Sequence, residues 1–291
     1  MFGRAAPPWL EGAVSETDLY TADRDEVRES GSRTMDATVS ELLNLLFRWI
    51  HVVAGVMWIG HLWYFNFVNA QVAKTYDAES KKKVIPEVMP RALYWFRWGA
   101  AYTWITGFLL LGIVYYMGGA MVEDQSQKGL ASGIGVASLL VGWAIYDVLW
   151  KQMAKSEMAG IAVSFVLITG VAFGLSMVMG GRAVFIHIGA IFGTIMAANV
   201  WMRIWPNQRK IIAAAKAGQP PPDGLPALAG LRSKHNTYMS VPLIFFMISN
   251  HFPTVYGNDL RWAIAAVFIA LGWGMTKLMF NKSGTSAPAQ F

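Results

Sequence analysis

Residues 48–67 read RWIHVVAGVMWIGHLWYFNF, a run in which Arg48 is the only residue with a formal charge. Its length matches the ~20 residues that an α-helix needs to cross the hydrocarbon core of a bilayer. The run therefore predicts a membrane-spanning helix. It also places two histidines, His51 and His61, inside that helix.

The rest of the chain has the same apolar character. Its 291 residues are 55% hydrophobic and only 14% charged, whereas about a quarter of the residues in a soluble domain are charged. Seven apolar stretches occur along the chain, at residues 42–69, 92–117, 130–153, 158–180, 183–205, 236–251 and 260–280. Six of them are convincing, while 236–251 is short and contains Pro242, which should kink it. This pattern predicts an all-α, polytopic integral membrane bundle of about seven transmembrane helices.

Polar residues divide the chain into three regions. Residues 1–41 form an acidic tail that holds nine of the eighteen Asp and Glu residues, and we expect this tail to be loosely ordered. Residues 42–280 form the transmembrane domain, and residues 281–291 form a C-terminal tail. Within the domain, residues 207–218 are expected to extend the fifth helix until the sequence QPPPDG at 219–224 stops it.

The distribution of Lys and Arg predicts the orientation. If seven helices span the membrane, fifteen of these residues fall on one side and seven on the other. Because cytoplasmic segments carry the excess, the N-terminus is expected outside and the C-terminus in the cytoplasm of a bacterial inner (plasma) membrane. The basic residues, which give a formal net charge of +6, thus indicate topology. We expect the chain to contact the lipid bilayer and do not expect it to bind nucleic acid.

The chain contains no cysteine. Disulfides, thiolate metal sites, iron–sulfur clusters and covalent c-type haem attachment all need a cysteine sulfur, so this chain cannot form them.

Histidine is scarce, and all five copies lie within or beside the apolar stretches. Imidazole is a common ligand of haem iron, and ionisable groups inside a membrane usually serve a function. Their depths suggest an outer group and an inner pair of iron ligands for one or two b-type haems. The outer group is His51, His187 and His251, and the inner pair is His61 and His235. The alternative is that these side chains only hydrogen-bond between helices.

Four stretches together resemble a known family. They are residues 48–67, residues 91–98 (RALYWFRW), residues 198–208 (ANVWMRIWPNQ), and residues 235–242 (HNTYMSVP) continuing to 249–253 (SNHFP). They are similar to the N-terminal membrane domain of the bacterial membrane-bound urate oxidase (urate hydroxylase) family. The resemblance implies a haem-type oxidoreductase of purine catabolism that passes electrons to a cytochrome c.

The resemblance also implies a substrate and a partner. Members typically continue into a cytochrome c domain with a CxxCH motif, so for this cysteine-free chain we expect a separate cytochrome c or other respiratory subunits. An anionic, amide-rich ring such as urate would need cationic and amide groups near the cytoplasmic ends of the helices. The predicted substrate-binding residues are Arg97, Asn199, Arg203, Asn207, Gln208 and Asn236.

Other functions stay open at this stage. The alternatives are a non-catalytic or quinol-linked membrane subunit of a larger respiratory complex, and a transporter. No residue is assigned a catalytic role. Asp147, four residues before Lys151, is expected to form an ion pair with it on one helix.

Overall fold

A computed structural model describes residues 16–285, with side chains from residue 36 onwards. Throughout this range the chain is helical with short connections and contains no β-strand. The helices are α1 (Glu16–Trp63), α2 (Ala70–Thr75), α3 (Ala78–Leu110), α4 (Lys128–Gln152), α5 (Glu157–Ser176), α6 (Gly181–Asn199), α7 (Trp205–Lys216), α8 (Leu225–Ile248), α9 (Pro253–Tyr256) and α10 (Arg261–Thr285). The prediction of an all-α membrane bundle is confirmed.

Six helical segments of the described range are long and apolar enough to cross a membrane. They are Asp36–Thr75, Ala78–Met117, Gln125–Gln152, Glu157–Ser176, Gly181–Lys216 and Arg261–Thr285. Helix α8 has 24 residues but is not among them. It begins at Leu225, eleven residues before the predicted apolar stretch, and these additional residues include Arg232 and Lys234.

The N-terminal segment differs from expectation. Helix α1 begins at Glu16, so the part of the predicted tail from residue 16 to residue 41 is helical, whereas residues 1–15 lie outside the described residues. The chain divides into two compact units at Leu46, close to the predicted boundary. At the other end α10 continues to Thr285, and the rest of the predicted C-terminal tail is not described.

Helix α6 is at the centre of the second unit. About 78% of its most apolar window is buried, compared with 11–28% for the other five candidate spans. It packs against α8 and α4, and small residues allow this close approach. A Cβ on Gly189 would lie 2.7 Å from Met247 Cε and 3.0 Å from Phe246 Cβ on α8.

Three helices pass into π-helical turns, at Tyr64–Asn69, Leu111–Met117 and Val200–Ile204. Such turns are frequently found at functional sites. The second carries Tyr115 and Tyr116, and the third carries Arg203. After the third turn, α7 extends to Lys216 as the sequence predicts, and Gly218 follows it at φ +69°.

Helix α3 has a side-chain cap at its start. The Asp77 carboxylate accepts a hydrogen bond from the Ser80 amide at 2.7 Å, which satisfies one of the free N–H groups of the first turn. This hydrogen bond lowers the pKa of Asp77 below its ordinary value, because it stabilises the charged form.

Candidate functional site

Asp147 on α4 binds three cations: Lys151 on the same helix, Arg203 on the π-helical turn after α6, and the fully buried Arg232 on α8. Arg203 binds its carboxylate with two bonds, from Nε to Oδ1 at 2.9 Å and from Nη2 to Oδ2 at 2.6 Å. Arg232 Nη2 donates to Oδ1 at 3.1 Å, and Lys151 Nζ lies 2.8 Å from Oδ2. The predicted Asp147–Lys151 pair is confirmed, but the two arginines make the site more than a local pair.

The charges in this group do not balance. One carboxylate faces three cations, and the Arg232 side chain is 0% exposed. Its Nε and Nη1 atoms are buried without a hydrogen-bond partner. Buried polar groups are normally hydrogen-bonded, so these are unsatisfied donors on a positively charged group.

A second network adjoins the first through Tyr146. Asn199 Nδ2 donates to the Tyr146 hydroxyl and to Asn236 Oδ1, both at 2.9 Å. Asn236 Nδ2 in turn donates to the Met196 carbonyl at 2.9 Å. The Oδ1 atom of Asn199 is buried and has no partner. The guanidinium of Arg232 lies 5.0 Å from the centroid of the Tyr146 ring, which joins the two networks.

The structure brings together only some of the predicted substrate-binding residues. Asn199, Arg203 and Asn236 belong to these networks. Arg97 instead stacks 4.0 Å from the centroid of the Trp205 indole. Asn207 and Gln208 lie half-buried on α7, and among residues 36–285 no hydrogen bond connects them or Arg97 to Asp147 or Tyr146.

Tyr146 also sets the protonation of His235. Its hydroxyl lies 2.9 Å from His235 Nδ1 and already accepts from Asn199. The hydroxyl proton has no other acceptor among the described residues, so the arrangement that satisfies every group has Tyr146 donating to Nδ1. The imidazole proton is then on Nε2, which is buried and unpaired. His235 therefore presents an N–H donor.

His235 faces an elongated apolar cavity of about 200 Å³. The Trp150 ring lies 4.0 Å from the His235 ring, between centroids, and its indole N–H donates to Ser164 at 3.2 Å. Gly160 makes room for this indole, because a Cβ there would lie 2.8 Å from Trp150 Cη2. The cavity is lined by residues of α4, α5, α6, α8 and α10.

His187 is completely buried and uses both ring nitrogens. Its Nδ1 lies 2.7 Å from the Ala183 carbonyl, which can only accept, so Nδ1 carries the proton. Nε2 then accepts from the Tyr116 hydroxyl at 3.0 Å. Gly135 closes the same nitrogen off, since a Cβ there would lie 2.8 Å from it.

His51 and His61 have the opposite arrangement to His235. His61 Nδ1 donates to the Met57 carbonyl at 2.7 Å. His51 Nδ1 lies 3.2 Å from Thr106 Oγ1, whose own proton goes to the Tyr102 carbonyl at 2.6 Å. In both histidines the proton is thus on Nδ1, and Nε2 keeps its lone pair. Iron-ligating histidines have this pattern, with the far nitrogen hydrogen-bonded to the protein.

His61 is also beside space that a cofactor needs. It lines a wide, shallow opening of about 610 Å³ together with Gly60, Tyr64 and Arg91. The opening shares no lining residue with the His235 cavity, so the inner histidines face different spaces. The free lone pair of His61 Nε2, with Nδ1 held by the Met57 carbonyl, fits an iron ligand. His187 and His235, as they are hydrogen-bonded, offer iron no lone pair.

The remaining histidine of the predicted outer group is His251, and His51 has a further close neighbour. His251 is exposed on the 3₁₀ turn Ser249–His251. Gly107 of α3 adjoins the His51 ring, because a Cβ there would lie 2.9 Å from His51 Cε1. Among the described residues, no three His, Asp or Glu side chains are grouped so that they could hold a metal ion.

Sequence reasoning missed three residues of the site: Tyr146, Asp147 and Arg232. The sequence predicts only the local pair of Asp147 with Lys151 and gives no sign that Arg232 contacts the same carboxylate. A tyrosine in an apolar helix gives no signal by itself. An acidic residue within a membrane helix is expected to have a basic partner. The sequence does not show which basic residue that is, because the partners are far apart along the chain.

Comparison with known proteins was made at three levels. Residues 37–290 match the family described as urate oxidase N-terminal. No curated protein matches the chain, and no solved structure does. The match covers the described apolar helices from α1 to α10, including the histidines and the Asp147 network. This chain belongs to the urate oxidase N-terminal family.

Proposed function

We propose that this chain is a membrane-embedded oxidoreductase of the urate oxidase type, which takes electrons from a small, reduced, anionic substrate and passes them to a separate cytochrome c. The membrane is the inner (plasma) membrane of a bacterium, with the N-terminus outside. Oxidation of a urate-type ring by two electrons releases two electrons and two protons. Each ferricytochrome c accepts one electron, so two are reduced for each substrate oxidised.

The observation that carries this proposal is the excess of positive charge around Asp147. Arg203 donates to the carboxylate from both Nε and Nη2. Arg232, in contrast, has two buried nitrogen atoms, Nε and Nη1, that lack a hydrogen-bond partner. The free Oδ1 of Asn199 adds an acceptor in the adjoining network. An anionic ring with both carbonyl oxygens and N–H groups complements a cation, a donor pair and an acceptor.

A b-type haem is the proposed electron carrier, and His61 would hold it. When bound, the haem would supply a one-electron centre between a two-electron substrate and a one-electron acceptor. The Met57 carbonyl fixes the His61 tautomer by accepting from Nδ1. His51 has the same tautomer and is the second candidate ligand. It is ten residues from His61, about 15 Å along α1, so the two would serve different haems.

The test is reduction of ferricytochrome c by the purified, full-length protein with urate. We expect urate-dependent reduction with two cytochromes reduced for each urate consumed. Arg232→Gln should lose most of this rate without losing haem, because it removes the buried charge. Lys83→Gln is the matched control, since Lys83 belongs to an exposed pair with Glu79, and it should keep the wild-type rate.

A folded, haem-containing protein that does not respond to urate would overturn the proposal. Reduction of that haem by a quinol instead would favour the quinol-linked subunit.

A further inference from the structure

The cavity beside His235 has no role in the proposed function. It is long and narrow: its lining on α5 runs from Glu157 to Val171, about 21 Å at 1.5 Å per residue. One end holds His235, Trp150 and Tyr146, and the other end is lined by apolar side chains such as Phe192. This shape suits a flat head group with an apolar chain.

The polar end of the cavity is lined by one buried neutral donor that has no partner. His235 Nε2 is buried and unpaired, and the Tyr146–Asn199 hydrogen bonds place the ring proton on that atom. An unpaired buried donor destabilises the protein unless a ligand or water supplies an acceptor. The group that complements this donor is a hydrogen-bond acceptor such as a carbonyl oxygen.

The charges at the same end argue against an anionic head group. Lys234 lines the cavity, but its ammonium is paired with the Glu157 carboxylate. A phosphate would have to compete with that carboxylate and lie beside its negative charge. A neutral ring meets no such obstacle and would stack beside Trp150, whose indole is fixed by Ser164 and by the gap at Gly160.

From these contacts we infer that the His235 cavity binds a lipid-soluble quinone, with His235 Nε2–H donating to one of its carbonyl oxygens. The ring lies at the end of the cavity that His235 and Trp150 line, and the apolar chain follows α5 toward Val171. This site is separate from the opening at His61, with which the cavity shares no lining residue. The inference does not depend on urate being the substrate.

The experiment measures binding of decylubiquinone to the purified, full-length protein in lipid nanodiscs by calorimetric titration. The wild type should bind one quinone. His235→Phe keeps a ring beside Trp150 but removes the donor, and it should weaken binding about five- to ten-fold, as expected for one neutral hydrogen bond. His235→Gln keeps an N–H group and should recover part of the loss. Tyr102→Phe removes a polar group from an exposed ring that does not line the cavity, and it should bind like the wild type.

Two further measurements separate this site from a nonspecific apolar pocket. Ile161→Trp fills the cavity from α5 while leaving His235 in the sequence, and it should abolish binding. The infrared carbonyl stretch of bound, ¹³C-labelled quinone should move to lower frequency in the wild type, and the shift should disappear in His235→Phe.

Some results would overturn the inference. One is absence of decylubiquinone binding to the wild type. Another is binding to His235→Phe and Ile161→Trp that is as tight as binding to the wild type. A third is binding of a decyl chain without the quinone ring as tightly as decylubiquinone. Urate-dependent reduction of cytochrome c, measured on the same preparations, reports on the proposed function independently.

Discussion

Replacement of Asp147 by Asn should destabilise this protein far more than loss of an ordinary ion pair. The change keeps the shape of the side chain but removes the charge that compensates Arg232, whose side chain is 0% exposed, and Arg203, which is 26% exposed. Lys151 is 58% exposed and can turn to water. The loss of stability therefore comes mainly from Arg232, whose buried charge would lose its partner.

The size of the effect follows from that burial. Removing one partner of a buried ion pair typically costs about 3–5 kcal/mol. For a unit of about 245 residues, each kcal/mol lowers the unfolding midpoint by about 2–4 °C. We thus expect Asp147→Asn to lower the midpoint by about 6–20 °C, measured by intrinsic tryptophan fluorescence during heating in detergent.

Two variants control this experiment. Glu79→Gln removes an exposed pair, in which the side chains are 74% and 75% exposed, and should change stability by less than ~1 kcal/mol. Adding Arg232→Met to Asp147→Asn removes the uncompensated charge and should recover part of the loss. The reasoning is refuted if Asp147→Asn melts within 2 °C of Glu79→Gln, a margin below the ~2–4 °C expected per kcal/mol, or if the added Arg232→Met deepens the loss.

Three smaller perturbations test other contacts. Gly160→Val should cost about 1–3 kcal/mol of unfolding free energy, because the new side chain overlaps Trp150; a wild-type melting curve would contradict that packing. Tyr146→Phe should cost a similar ~1–3 kcal/mol by leaving His235 Nδ1 and an asparagine amide unpaired, also measured by thermal unfolding. At Asp77, whose pKa is lowered by folding, the stabilisation of the α3 start is present above the ordinary carboxyl pKa near 3.8 and is lost as pH falls through the lower folded value. Amide exchange in the first turn of α3 should accelerate in that window in the wild type but not in Asp77→Asn, and equal pH profiles would contradict the cap.

The apolar helices were predictable from sequence because lipid-facing segments must be long and uncharged. Helix α8 was the exception. Its first eleven residues include Arg232 and Lys234, whose charges kept this part out of the predicted apolar stretch. In the folded protein Asp147 pairs with Arg232, and Glu157 pairs with Lys234. Those partners are 85 and 77 positions away in sequence, so no local pattern indicates the pairing.

The sequence located the histidines within the apolar stretches, but it could not show which of them keep a lone pair for iron. Whether a ring nitrogen keeps a lone pair depends on its partner, and a backbone carbonyl and a tyrosine hydroxyl have opposite effects. The partner of His61 is four residues away on the same helix, whereas the partner of His235 comes from α4. The second contact exists only in the folded bundle. The division into potential iron ligands and hydrogen-bond donors therefore needed the structure.

The most direct test of this division is the dithionite-reduced minus oxidised absorption spectrum of purified variants. We expect a b-type α-band in the wild type that disappears in His61→Ala and persists in His235→Ala. Loss of the band in His235→Ala with retention in His61→Ala would contradict the assignment of the ring protons, and a colourless wild-type protein would contradict haem-based electron transfer.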